Sequence, residues 1–267
     1  MNFDPGKVTI TLYCTLGRVR DAAVACQRPG LTALLRGRPA DEAVHLIPRV
    51  YALCGRAQGT AAQAALAAAR GNERDAEVDV AVQAEAAREH AWKLLVDWPG
   101  QLGLAPDQAF FVRLIRAEVA ERPLLAAALT QHPLPDRLSA LAGEGRIARL
   151  LAERIRWRLQ ELLAWLNRCP GVSGTVAAHR PSPGCGEATV ETARGPLQHR
   201  IELAGDAVAA YEISAPTDRS FAEDGLAASH LTEVIGVDHG AAVSALKRLI
   251  MALDPCVPCA CTRLDDG

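Results

Sequence analysis

Aromatic side chains are scarce in this chain: Phe, Trp and Tyr together make up 4% of 267 residues. A stacking platform for single-stranded nucleic acid is therefore not expected. Neither charge sign is in excess. There are 29 Lys and Arg against 31 Asp and Glu, a net charge of -2, so no electrostatic nucleic-acid footprint exists. Long apolar runs are missing too. The Ala-rich stretches are broken by Arg or Glu every few residues, short of the roughly 18 apolar residues that span a membrane. The opening Met1-Asn2-Phe3-Asp4-Pro5 lacks the basic-then-apolar pattern of a secretory signal. These absences point to a cytoplasmic protein with no nucleic-acid partner and no membrane insertion. Present instead are 49% hydrophobic residues, 22% charged residues and eight cysteines. That composition is globular. Cysteines in a cytoplasmic chain read as thiols or metal ligands rather than a disulfide framework.

Periodicity suggests an α+β fold. Val8, Ile10 and Leu12 alternate with Thr9 and Thr11, and Leu16-Gly17-Arg18 marks a turn, so residues 7–25 read as a hairpin. Residues 30–70 read as helical, closing at Gly71. A long helix is expected over 76–97, with Val78, Val82, Ala86, Trp92 and Leu95 on one face and a stop at Trp98-Pro99-Gly100. Helices are also expected near 106–119, 122–130 and 143–166. The Gly-, Pro- and Ser-rich stretch 169–188 reads as irregular. A second hairpin turns at Ala204-Gly205-Asp206. Residues 216–231 read as irregular, and Gly240–Leu253 as a last helix ended by Asp254-Pro255. The sum is one domain, a mostly helical core with small N-terminal and C-terminal hairpins or sheets. Its parts are 7–70, a helical middle over 76–166, and 184–263. Trp92, Trp157 and Trp165 are expected in the core or an interface. Arg146, Arg149, Arg154, Arg156 and Arg158 read as a solvated helix face or as a docking face for an acidic partner.

The strongest local signal is Asp254-Pro255-Cys256-Val257-Pro258-Cys259. A CxxC can bind one metal or form a redox disulfide. No second CxxC completes a four-ligand zinc site, and the motif follows a helix where a thioredoxin-type motif would open one. Cys14, Cys26 and Cys169 read as buried or partly buried thiols. Cys261 could replace a neighbouring ligand if the tail is flexible. His199 reads as a hydrogen-bonding residue rather than a ligand.

Four blocks together resemble the large subunits of nickel–iron hydrogenases. Arg49-Val50-Tyr51-Ala52-Leu53-Cys54, running into an Ala-rich stretch, is similar to that family's Arg-x-Cys-Gly-x-Cys-x-x-x-His. Glu191-Thr192-Ala193-Arg194-Gly195-Pro196-Leu197-Gln198-His199 is similar to Glu-Ala-Pro-Arg-Gly-x-Leu-x-His. Ala215-Pro216-Thr217 is similar to Pro-Ser/Thr-Thr-Trp-Asn, and the terminal block is similar to Asp-Pro-Cys-x-x-Cys-x-x-His. The order matches, and the likeness covers roughly residues 5–66 and 184–263.

The resemblance implies a set of roles, and the departures modify them. In the family four cysteines hold nickel, and the second of each pair also bridges to iron. Here Tyr51 replaces the first cysteine, Ala52 the motif glycine, Gln58 the first motif histidine and Thr262 the last. Pro5-Gly6-Lys7 replaces Glu-Gly-His, removing the proton-transfer acid. Cys54, Cys256 and Cys259 remain as metal ligands, and three thiolates do not complete a tetrathiolate nickel site, so nickel is not expected. By resemblance, Cys54 and Cys259 hold an iron carrying two cyanides and one carbon monoxide, with their sulfurs within about 7 Å of each other. Arg194, Thr217 and the adjoining Ala193 would line its cyanide pocket. No catalytic residue is assigned. The implied function is that of a HupK/HoxV-type accessory protein, a non-catalytic scaffold or chaperone of hydrogenase maturation. It would take the iron fragment from small maturation chaperones and pass it to the hydrogenase large-subunit precursor. Two other readings stay open, an unrelated CxxC zinc or redox protein and a catalytic hydrogenase-like subunit.

Overall fold

The computed structural model describes residues 6–28, 30–51, 53–72, 76–77, 80–167 and 175–265. Pro5, Ala52, Val78 and Cys169 lie outside the described residues.

Strands β1 (Lys7–Thr15) and β2 (Arg18–Gln27) form the expected antiparallel hairpin. Leu16 and Gly17 turn it with φ of 51° and 77°. Val8, Ile10, Leu12 and Cys14 alternate into the interior. Helices α1 (Leu31–Leu35), α2 (Ala40–Val50) and α3 (Gly55–Ala69) follow.

In the middle, β3 (Ala76–Glu77) precedes α4 (Val80–Trp92), which continues through a π-helical turn at Lys93–Asp97 into α5 (Trp98–Gln101). Trp98-Pro99-Gly100 therefore does not stop the helix. Pro99 offers no N–H to the Leu95 carbonyl one turn back, which instead accepts from the Asp107 N–H at 2.8 Å. Next come α6 (Gln108–Arg116), α7 (Arg122–Thr130), α8 (Pro133–Leu141) and α9 (Arg146–Asn167). Helix α8 has no counterpart in the sequence expectation, and it carries two prolines. They sit in its first turn, where proline is tolerated.

The stretch 169–188 is not irregular where it is described. It contributes β4 (Thr175–Ser182) and the start of β5 (Cys185–Thr192). Pro181 falls where the β4–β5 register skips, so its missing N–H breaks no ladder bond. Strands β6 (Gly195–Ala204) and β7 (Ala207–Ser214) form the second hairpin, turning at Gly205 with φ of 63°. Residues 216–231 are partly helical, as α10 (Pro216–Ser220) and α11 (Leu226–Leu231). Asp238 caps α12 (His239–Leu253), accepting from the Gly240 and Ala241 N–H groups. Strand β8 (Cys259–Asp265) ends the described chain, so Cys261 lies in a strand rather than a loose tail.

The architecture is α+β with two sheets. One has the order β2-β1-β8, with β8 parallel to β1; the other has the order β3-β4-β5-β6-β7. Helices α2 and α3 cover the second sheet through Ile47, Ala61, Ala65, Val190 and Leu197. Small residues permit close approach: a Cβ on Gly186 of β5 would strike the Ala65 carbonyl and the Ala69 amide of α3. A second core binds the middle helices around Trp98, and a third joins the first sheet to α12. Trp92 is 41% exposed, while Trp98 is the fully buried indole. Arg158 is likewise not part of a solvated face; it is completely buried. No described helix is long and apolar enough to cross a membrane.

Candidate functional site

Cys54 caps the N-terminus of α3, its carbonyl accepting from the Gln58 N–H at 2.9 Å. Glu85 of α4 accepts from the Arg56 and Ala57 N–H groups in the first turn of α3. Ala193 and Arg194 form the turn between β5 and β6. Thr217 is the second residue of α10, and Cys256 follows the reversal that ends α12 at Asp254, where φ is 45°.

These elements meet around Cys256. The Thr217 hydroxyl donates to Cys256 Sγ at 3.2 Å and accepts from the Cys256 N–H at 3.1 Å. Arg28, at the end of β2, donates from Nη2 to the same sulfur at 3.2 Å and from Nε to Asp218 at 2.6 Å. Burial and the nearby Cys256 push the Cys54 thiol up to about 11, and the Gln58 hydrogen bond and then Arg194 partly offset this. Ala193, Arg194 and Cys54 line a small cleft with Glu85 and Glu89.

Arg194 belongs to a buried ion network. Its Nε lies 3.1 Å from the Asp254 carboxylate, and its Nη2 donates to Glu89 at 2.6 Å. Asp254 also accepts from Lys93 at 2.8 Å and Arg158 at 2.6 Å. Burial opposes the charge on Arg194, but Asp254 and Glu89 outweigh it and hold the guanidinium above its ordinary value. Such pairing is what permits charges to be buried.

A second buried chain starts at Cys54. Gln58 Nε2 donates to Cys54 Sγ at 3.7 Å, and its Oε1 lies 2.9 Å from His199 Nε2. His199 Nδ1 lies 2.8 Å from the Tyr211 hydroxyl. The self-consistent assignment has Tyr211 donating to Nδ1, Nε2–H to Gln58, and the amide to sulfur. His199 is thus a hydrogen-bonding core residue, as expected. Tyr51 lies at the edge of the site, where burial raises its phenol to about 12.

Cys54, Cys256, Arg194 and Thr217 are therefore brought together. Cys259 begins β8, and burial together with Cys261 and Cys26 pushes its thiol up to about 12. The thiol that interacts electrostatically with Cys54 is Cys256, the first cysteine of the terminal motif. Among the described residues, no group of three His, Cys, Asp or Glu side chains could hold a metal ion. Sequence reasoning missed Arg28, Asp218, Glu89 and Lys93, and it placed Arg158 on the surface. None of the five stands in a motif block except Asp218, which directly follows Thr217.

No protein-family model matches the chain. Among solved structures it is similar to the NAD+-reducing [NiFe]-hydrogenase in its H2-reduced state, with a TM-score of 0.61 and 14% identity, covering 90% of this chain and 93% of that one. It is similar to the Ni-Fe-Se hydrogenase of Desulfomicrobium baculatum, with a TM-score of 0.59 and 13% identity, covering 92% and 95%. The fold is that of a nickel–iron hydrogenase large subunit.

Sequence relatives sharpen this. The chain is 29% identical to the hydrogenase expression/formation protein HupK of Rhizobium leguminosarum bv. viciae, covering 96% of this chain and 97% of that protein. It is 27% identical to HupV of Azotobacter chroococcum mcd 1, covering 94% and 97%. It is 39% identical to HoxV of Cupriavidus necator over 39% of this chain and 28% of that protein. The chain is a homologue of HupK/HoxV hydrogenase expression/formation proteins and has the fold of a hydrogenase large subunit.

Proposed function

We propose that this protein is a non-catalytic scaffold that holds or assembles the iron dicyanide carbonyl fragment and passes it to the hydrogenase large-subunit precursor. The observation that carries the proposal is the meeting of four separate motif blocks, through Cys54, Arg194, Thr217 and Cys256, at one place. An iron that arrives with its own diatomic ligands needs only a few sulfur bonds, where a bare soft metal needs four. Cys54 and Cys259, the second cysteine of each motif, supply the thiolates, with Cys256 beside them. Cyanide is an anionic acceptor, suited to the Arg194 guanidinium and the Thr217 hydroxyl. The Arg194 bonds to Asp254 and Glu89 use Nε and Nη2, not Nη1.

In this proposal small maturation chaperones deliver the fragment. The precursor's complete cysteine set then draws it away, because four thiolates bind more tightly than this incomplete set. The test is infrared spectroscopy with iron and zinc analysis on protein purified without oxygen from cells making the maturation system. Cyanide and carbonyl bands with bound iron are expected, and Cys54→Ser and the double variant Cys256→Ser/Cys259→Ser should lose both. Zinc without such bands would favour the unrelated CxxC reading and reject this one.

A further inference from the structure

Arg28 sits where the scaffold reading leaves a gap. Its Nη2 lies 3.2 Å from Cys256 Sγ, and its Nε is held by Asp218 at 2.6 Å. Asp218 is itself fixed, accepting from the Ala215 N–H at 2.9 Å. Arg28, Asp218 and Tyr51 line one cavity of about 200 Å³ with Thr32, Tyr211 and Ala215. Tyr51 and Cys256 occupy the first cysteine positions of the two cysteine motifs. Those are the positions that, by the resemblance above, bind nickel alone.

We propose that Arg28 is a built-in cation that closes the nickel side of the site. This rests on the scaffold reading and deepens it, since it states how the scaffold refuses the second metal. A guanidinium stays charged at every physiological pH. Pinned by Asp218, it fills the approach to Cys256 Sγ. A divalent nickel arriving there meets both an occupied lone pair and a like charge. Burial opposes the Arg28 charge, but Cys256 and Asp218 together hold the guanidinium above its ordinary value. Tyr51 adds a protonated phenol instead of a thiolate. The Cys54 side, next to Arg194, is left for the iron fragment.

The test uses the full chain, nickel(II) chloride and competition with a chromophoric chelator under reducing, anaerobic conditions. Wild type, Tyr51→Cys, Tyr51→Cys/Arg28→Gln and Tyr51→Cys/Arg28→Lys are compared, each checked for folding by thermal unfolding. Tyr51→Cys should raise nickel affinity by completing the thiolate set. Adding Arg28→Gln should raise it at least tenfold more, while Arg28→Lys should not. Equal affinity of Tyr51→Cys and Tyr51→Cys/Arg28→Gln would overturn the role of Arg28 and leave the scaffold reading intact. Tight stoichiometric nickel in the wild type would overturn both.

Discussion

Arg194 donates from Nε to the Asp254 carbonyl at 2.8 Å and lies 3.1 Å from the Asp254 carboxylate, so one guanidinium grips both ends of the residue that opens the terminal cysteine turn. Asp254 adopts φ of 45°, a left-handed conformation that aspartate tolerates better than most residues. The ion network thus holds the bend that delivers Cys256 to Thr217.

Asp254→Asn should destabilise the protein by about 3–5 kcal/mol, because it leaves the buried Arg158 without a carboxylate and takes one of two carboxylate partners from Arg194 and from Lys93. Burial opposes ionisation of Asp254, but Arg194, Arg158 and Lys93 outweigh it and hold the carboxyl below its ordinary value. Its contribution is therefore complete above about pH 4 and lost as pH falls through the lower folded value. Urea unfolding of both proteins at pH 7 measures the difference; a change under 1 kcal/mol would remove the network from the account.

Sequence reasoning alone expects Arg194→Leu to fold and simply lose iron. The structure changes that expectation, because leucine would leave Glu89 without its guanidinium at 2.6 Å and Asp254 without one of its three cations. Arg194→Leu should cost about 3–5 kcal/mol. Arg194→Lys keeps the charge but not the fork, so it should remain closer to wild type in thermal stability and still lose iron. Iron content equal to wild type in a folded Arg194→Lys would show that the fork is not needed.

Two buried histidines should make the protein acid-sensitive. Burial alone drives His199 down to about 3, and burial with Arg158 and Arg194 drives His90 to about 3. A depressed histidine stabilises fully above its unfolded value of about 6.5, and that stability is lost as pH falls from there toward 3. Each can contribute a slope of up to about 1.4 kcal/mol per pH unit in that window. Unfolding free energies between pH 7 and pH 4 should fall accordingly, with a shallower fall in His199→Gln. A flat wild-type profile would contradict both assignments.

The chain from Tyr211 through His199 and Gln58 to Cys54 should behave as a unit. Gln58→Leu leaves the His199 N–H without an acceptor and should cost about 1–3 kcal/mol. Tyr211→Phe removes the donor to Nδ1 at the other end. A double-mutant cycle between these two positions should give a coupling of about 0.5 kcal/mol or more. Strict additivity would mean that the two ends of the chain act independently.

The hairpins at 7–25 and 199–214, the last helix and the four motif blocks were legible in the sequence, because alternation, turn glycines and motif spacing are local properties of the chain. The departures at Tyr51 and Gln58 were equally plain. Strands β4 and β5 were hidden because their prolines and glycines read as breakers until the bulge at Pro181 and the contact at Gly186 gave them partners. Helix α8 was hidden as well. Only the tertiary structure decided where the two terminal thiols go, since Cys256 and Cys259 are three residues apart but a turn sends one to Thr217 and the other into a strand. It also decided that Arg28, 228 residues before Cys256, reaches that sulfur. Likewise Arg158, one arginine among several on an amphipathic helix, is the one the fold buries against Asp254. Long-range ion pairs and hydrogen bonds depend on how separate elements pack, and no local pattern encodes that.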